Sequence, residues 1–181
     1  MSIPPEQHPQ HNHRRIGGLM IGLCWIVVIG IVTLLFSGLL DDTHNPNTRL
    51  ETTSRNGEAQ VRLRQNRMGH YVATGTLNGQ PAVFLLDTGA TTVSVPEGLA
   101  RDLALTKGKA VQSHTANGTV TTYLTRIDEV RLGAIVMRDV LANINPGMRG
   151  HEVLLGMSFL RHLDFRQSDG TLTLMGAGRA K

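Results

Sequence analysis

An uninterrupted apolar run, Val83-Phe84-Leu85-Leu86, delivers a single carboxylate, Asp87, to the sequence Thr88-Gly89-Ala90. Thr91-Thr92-Val93-Ser94-Val95 then follows. Four consecutive large apolar residues read as a buried strand. A carboxylate at the end of such a strand is costly unless it is hydrogen-bonded or paired, so Asp87 is either a satisfied structural acid or a reactive group. The Thr88 hydroxyl can donate a hydrogen bond, and Gly89 lets the backbone turn tightly beside the acid.

The chain around this stretch is punctuated as a β protein. Val61 and Leu63 alternate with Arg62 and Arg64, which places the arginines on the solvent face of a strand. Tyr71, Val72, Thr74 and Thr76 suit a strand, and Asn78-Gly79 joins it to Pro81–Leu86 in a tight hairpin. A second Asn-Gly pair, Asn117-Gly118, lies between two arms, 109–116 and 119–127. Those arms are polar on both faces, so this hairpin is expected to project into solvent or over a ligand. Strands are also expected at 130–132, 135–144 and 153–155, with a last hairpin over 163–167 and 171–175. Short helices are expected at 96–103, where Pro96 occupies the first turn, and at 157–162. Many short strands with at most two short helices imply an all-β barrel or sandwich.

Ile16 to Leu40 contains no charged residue. About 20 apolar residues cross a bilayer as a helix, and glycines such as Gly17, Gly18, Gly22 and Gly30 are frequent in such helices. Arg14 and Arg15 precede the stretch and Asp41 and Asp42 follow it, which puts the N-terminus in the cytoplasm. A cleaved signal peptide would have a shorter core of about 7–15 residues ending at a small-x-small site. The expected organisation is a cytoplasmic tail over 1–15, a single transmembrane helix over 16–40, a linker over 41–58 and the β domain over 59–181. Cys24, the single cysteine, lies in the apolar span, so the β domain has no thiol chemistry.

Other chemistries find little support. The net charge of +4 is modest and the basic residues are scattered without aromatic platforms, which argues against nucleic acid. His70, His114, His151 and His162 lack the His-Glu-x-x-His spacing of a metalloprotease, and no metal or other cofactor is expected. Gly156-Met157-Ser158-Phe159-Leu160 lacks the second glycine of a hydrolase nucleophile elbow.

The run ending in Asp87-Thr88-Gly89-Ala90 resembles the active-site signature of the retropepsin-like (retroviral-type) aspartic proteases. The order of the remaining elements is also similar from near Val61 to Met175: a hairpin, the Asp-Thr-Gly turn, a glycine-tipped flap, the apolar-apolar-Gly of Leu154-Leu155-Gly156, a helix and a closing strand. With its N-terminal apolar segment the chain is similar to the bacterial membrane-anchored members of that family.

The resemblance implies a closed β-barrel and an aspartic endopeptidase acting on polypeptides. It further implies a domain on the periplasmic side of the inner membrane, tethered by the N-terminal helix. Asp87 would be the general acid and base, Thr88 would brace two turns through its hydroxyl, and Gly89 would admit the backbone to the site. Ala90, Asn117, Gly118, Leu155 and Gly156 would lie on the substrate side, with Asn117 and Gly118 in the flap. The chemistry needs two carboxylates sharing a proton, about 3 Å apart. Asp102, Asp128, Asp139, Asp164 and Asp169 lack the apolar approach and the Thr-Gly, so the second acid is expected from Asp87 of another copy in a homodimer.

Three departures from the pattern stand out. Met157 occupies the place of a dimer-bracing arginine, with Arg161 a turn later. The flap is poorer in glycine. Ala90 supplies no hydroxyl where many such sites have one, from which a higher pH optimum is expected. The alternative reading is a dimeric β module that binds peptide or protein partners at the membrane without cleaving them.

Overall fold

A computed structural model of the chain describes residues 12–55, 58–115 and 118–177. The chain divides between Asp41 and Asp42 into two units. The first is built on helix α1, Asn12–His44, whose described side chains over 20–35 are all exposed. Among the described residues no helix is long and apolar enough to cross a membrane. The 16–40 span expected from the sequence extends beyond the residues whose side chains are described.

The second unit is all-β with two short helices. In chain order its elements are β1 Glu51–Arg55, β2 Glu58–Arg64, β3 Val72–Leu77, β4 Gln80–Leu86, β5 Val93–Pro96, α2 Glu97–Asp102, β6 Ala110–Thr115, β7 Gly118–Leu132, β8 Ile135–Asn145, β9 Glu152–Leu155, α3 Met157–Leu160, β10 Asp164–Ser168 and β11 Thr171–Ala177. Seven strands form one sheet in the order β3-β4-β9-β5-β8-β7-β6. β3 also pairs with β7, through Thr76 opposite Arg131 and Leu77 opposite Val130. That extra pairing closes the sheet into a ring and leaves β6 outside it, paired along β7. The remaining four strands form an antiparallel sheet, β1-β2-β11-β10.

The core follows from period-two alternation. On β2, Ala59, Val61 and Leu63 point inward while Arg62 and Arg64 face solvent. Leu172 and Leu174 on β11 meet them, and Phe84, Leu77, Ile127, Leu132, Val153, Leu155 and Phe159 fill the ring. Each such side chain, fully buried, stabilises the fold by about 1.5–3 kcal/mol. Gly75 marks a close crossing in the ring: a Cβ there would lie 2.3 Å from the Arg131 carbonyl and 2.5 Å from the Phe84 ring.

Two expectations are corrected. The stretch 41–58, expected as a linker, contains β1, which pairs with β2 from Glu51 opposite Arg62 to Arg55 opposite Glu58. Asn47 acts ahead of it as a peptide mimic. Its side-chain amide donates to the carbonyls of Arg64 (2.8 Å) and Val72 (2.7 Å), and its Oδ1 accepts the Arg64 N–H at 2.6 Å. Asn45 donates to Thr74, and Asn66 donates to the His44 carbonyl. Asn47 and Asn66 satisfy backbone groups without any apolar periodicity, so the sequence pattern concealed them. The second correction is that 119–127 and 130–132 are one strand, β7.

Candidate active site

β4 runs parallel to β9, with Leu85 opposite Leu154 and Leu86 opposite Leu155. The chain leaves β4 at Asp87, whose N–H donates to the Leu155 carbonyl at 3.2 Å, so the first residue of the turn is still held by β9. The Asp87 carboxylate then folds back on its own turn, with Oδ1 accepting the Gly89 N–H at 2.8 Å. The Ala90 N–H donates to the Asp87 carbonyl at 3.2 Å and closes the loop. Such an aspartate-centred turn favours glycine two places after the acid: a Cβ on Gly89 would sit 3.1 Å from Oδ1.

The turn rests on a second crossing of the chain at Gly156. A Cβ there would lie 2.3 Å from the Thr92 carbonyl and 2.7 Å from the Ala90 carbonyl, so only glycine permits the approach. Beyond it the Met157 N–H donates to Ala90 (2.8 Å) and the Ser158 N–H to Thr91 (3.0 Å). The 87–92 loop is thus bolted to the start of α3 by backbone bonds.

The catalytic candidates Asp87, Thr88 and Gly89 therefore share one loop with the substrate-side candidate Ala90, and Gly156 lies directly beneath it. Asp87 is only half-buried, and Thr88 and Gly89 are exposed. The sequence implied a carboxylate on a buried strand. Phe84 is wholly buried, but Val83, Leu85 and Leu86 are only partly covered. Asp87 Oδ2 and the Thr88 hydroxyl have no hydrogen-bond partner among the described residues.

Leu155 is wholly buried, so its side chain packs in the core; its carbonyl is what meets the turn. Gly118 begins β7 at the tip of the β6–β7 hairpin with φ of 109°. No hydrogen bond joins it to the Asp87 turn among the described residues. Asn117 lies outside the described residues.

A buried polar network behind the loop was not anticipated from the sequence. Ser158 Oγ accepts the Val93 N–H at 2.9 Å and donates to the Leu141 carbonyl at 2.7 Å. Ser94 donates to Asn143 Oδ1, and Asn143 donates on to the Thr92 hydroxyl, each at 2.8 Å. Ser158, Ser94 and Asn143 are all nearly inaccessible. Ser158 is thereby committed to the scaffold and unsuited to nucleophilic attack. The small residue two places after Gly156 was its one sequence signal, and nothing marked Asn143.

Comparison with known proteins places these observations. Residues 73–162 match the family model described as gag-polyprotein putative aspartyl protease. An uncharacterised protein encoded in the cobV 5′ region of a Sinorhizobium species is 27% identical over 175 residues, covering 87% of this chain and 73% of that protein. The crystal structure of a retropepsin-like aspartic protease from Rickettsia conorii superposes with a TM-score of 0.54 at 23% identity. It covers 71% of this chain and 95% of the Rickettsia one.

Proposed function

We propose that this chain, whose globular part is a retropepsin-like domain in fold and in family signature, is an aspartic endopeptidase that works as a homodimer. In this reading the N-terminal helix anchors it in a bacterial inner membrane with the domain on the periplasmic side.

The observation that carries the reading is the Asp87 turn itself. One carboxylate oxygen is held by the Gly89 N–H, which fixes the plane of the acid, and the other is free at a half-exposed surface. That open oxygen is available to a water or to a second carboxylate. An acid oriented on one side and open on the other is arranged to meet a second group.

A twofold axis beside the turn would bring Asp87 of one copy against Asp87 of another. Two carboxylates so close retain one proton between them. The ionised one takes a proton from a water as that water attacks the peptide carbonyl. The protonated one donates to the carbonyl oxygen; on collapse of the tetrahedral species the acid that took the water's proton passes it to the leaving nitrogen, a hydroxyl proton of the gem-diol returns to the other carboxylate, and the C–N bond breaks. The exposed Thr88 hydroxyls would bond across the axis, and the half-covered Leu85 and Leu86 would be buried by partner or substrate. The β6–β7 hairpin would close over the peptide.

The test uses the full chain in detergent with a peptide library. The wild type is expected to cleave, and Asp87→Asn is expected to lower the rate by about 10³-fold or more. Equal cleavage by both proteins sinks the assignment. Binding of the same peptides by both without cleavage supports the non-catalytic module.

A further inference from the structure

A cleft of about 320 Å³ at the start of the β domain is lined by Pro46, Asn47, Arg49, Glu51, Arg62 and Arg64. Three guanidinium groups share it with one carboxylate. Arg49, Arg62 and Arg64 are exposed and form no ion pair among the described residues. The sheet extends this basic surface. Strand register aligns Glu51, Arg62, Thr173 and Arg166 in one row across β1, β2, β11 and β10, and Arg64, Thr171 and Ser168 in the next. Arginine with neighbouring hydroxyls is the donor set that suits phosphate oxygens, because the planar guanidinium binds them in pairs.

The wall of the cleft is fixed in place. Asn47 is tied to the backbone of Arg64 and Val72, so Pro46 and Asn47 cannot swing away from the β2 arginines. Both residues also follow the 16–40 segment closely. Even a fully extended chain, at about 3.5 Å per residue, carries Asn47 no more than about 25 Å from Leu40. If the segment spans a bilayer, its own lipid headgroups are the nearest concentrated source of phosphate.

We propose that this arginine cleft binds the phosphate of anionic phospholipids in the membrane that holds the chain, and so docks the domain on that surface. The proposal rests on the anchor reading above. It concerns a face built from β1 and β2, which are not part of the Asp87 turn. Each arginine near an anionic surface strengthens such binding about fivefold, and salt weakens it.

The full chain in detergent is offered an equimolar mixture of dioleoyl-phosphatidylglycerol and dioleoyl-phosphatidylcholine, and retained lipid is counted by native mass spectrometry. Preferential retention of phosphatidylglycerol is expected, falling at least fivefold in R62A/R64A. E51Q, which removes the one carboxylate without touching an arginine, is expected to increase retention. Inorganic phosphate at millimolar concentration is expected not to displace the lipid. Equal retention of the two lipids, no loss in R62A/R64A with no gain in E51Q, or ready displacement by phosphate would each overturn the proposal. Alkaline extraction of the full chain from membranes is read separately. Release into the supernatant defeats the anchor, whereas a retained chain without lipid preference defeats only the cleft.

Discussion

Two hairpins in this molecule each carry an Asn-Gly pair in sequence and differ in how they are held. β3–β4 turns at Asn78 and Gly79, with φ of 49° and 79°, the positive pair that a two-residue hairpin requires. In β6–β7 the glycine of the second Asn-Gly pair, Gly118, is already the first residue of β7, paired with Thr115, at φ 109°. The first hairpin is tied to the rest of the barrel: the Asn78 N–H donates to the Glu129 carbonyl and its side chain accepts the Glu129 N–H. Its arms carry Phe84, Leu77 and Val72 into the core. The side-chain bonds along the second stay within the hairpin, Gln112 to Thr121, Ser113 to Thr122, His114 to Thr119 and Thr115 to the Gly118 carbonyl. Turn chemistry makes a hairpin, but the side chains on its arms decide whether it is framework or lid. A hairpin whose side-chain bonds are internal opens at only local free-energy cost, as the proposed closure over a peptide would require.

Three substitutions test that contrast, from large effect to small. Gly75→Ala forces a Cβ against the Arg131 backbone and the Phe84 ring, and should lower unfolding free energy by about 3 kcal/mol in a denaturant titration. A change below about 0.5 kcal/mol would mean that the first hairpin is not framework. Gly118→Ala has open space around it but a backbone angle that alanine resists, at a cost of about 1 kcal/mol. That cost should appear as faster hydrogen exchange in 110–123 with the global midpoint unmoved. A midpoint shift as large as that of Gly75→Ala would erase the distinction.

Glu97→Gln should act least. Lys107 pairs with Glu97 and sits 4.6 Å from the centre of the Tyr123 ring, at the root of the second hairpin. The Lys107 hydrogen bond and charge hold the Glu97 carboxyl below its usual range. A depressed carboxylate contributes stability above its unfolded titration range and loses it as pH falls through the folded value. Glu97 is solvent-exposed, so the variant should match wild type in thermal midpoint at acid pH and fall barely below it at neutral pH. A clear drop at acid pH would contradict this assignment.

The same contrast explains what could be read from the sequence. The Asn78-Gly79 turn, the strand leading to Asp87 and α2 were legible because each depends on local turn chemistry or an apolar run, and the Leu155-Gly156 crossing followed from the family resemblance. β1 was hidden because its residues, Glu51 to Arg55, are polar on both faces and find order only by pairing with β2. Asn47 was hidden because a side chain replacing a backbone partner leaves no periodic trace. The Asp87 surroundings were read as more buried than they are in a single chain: an apolar run signals burial but not which molecule provides it. Leu85 and Leu86 stay half-covered here, as residues awaiting a second surface would.

The shared dyad is tested most directly by mixing. Full-length wild type and Asp87→Asn are combined at constant total protein, exchanged in detergent and assayed on one cleaved peptide. If two copies of Asp87 make one site, activity follows the square of the wild-type fraction, and an equal mixture retains about a quarter. A linear decline, with about half the activity left, would mean that each chain works alone and would contradict the account.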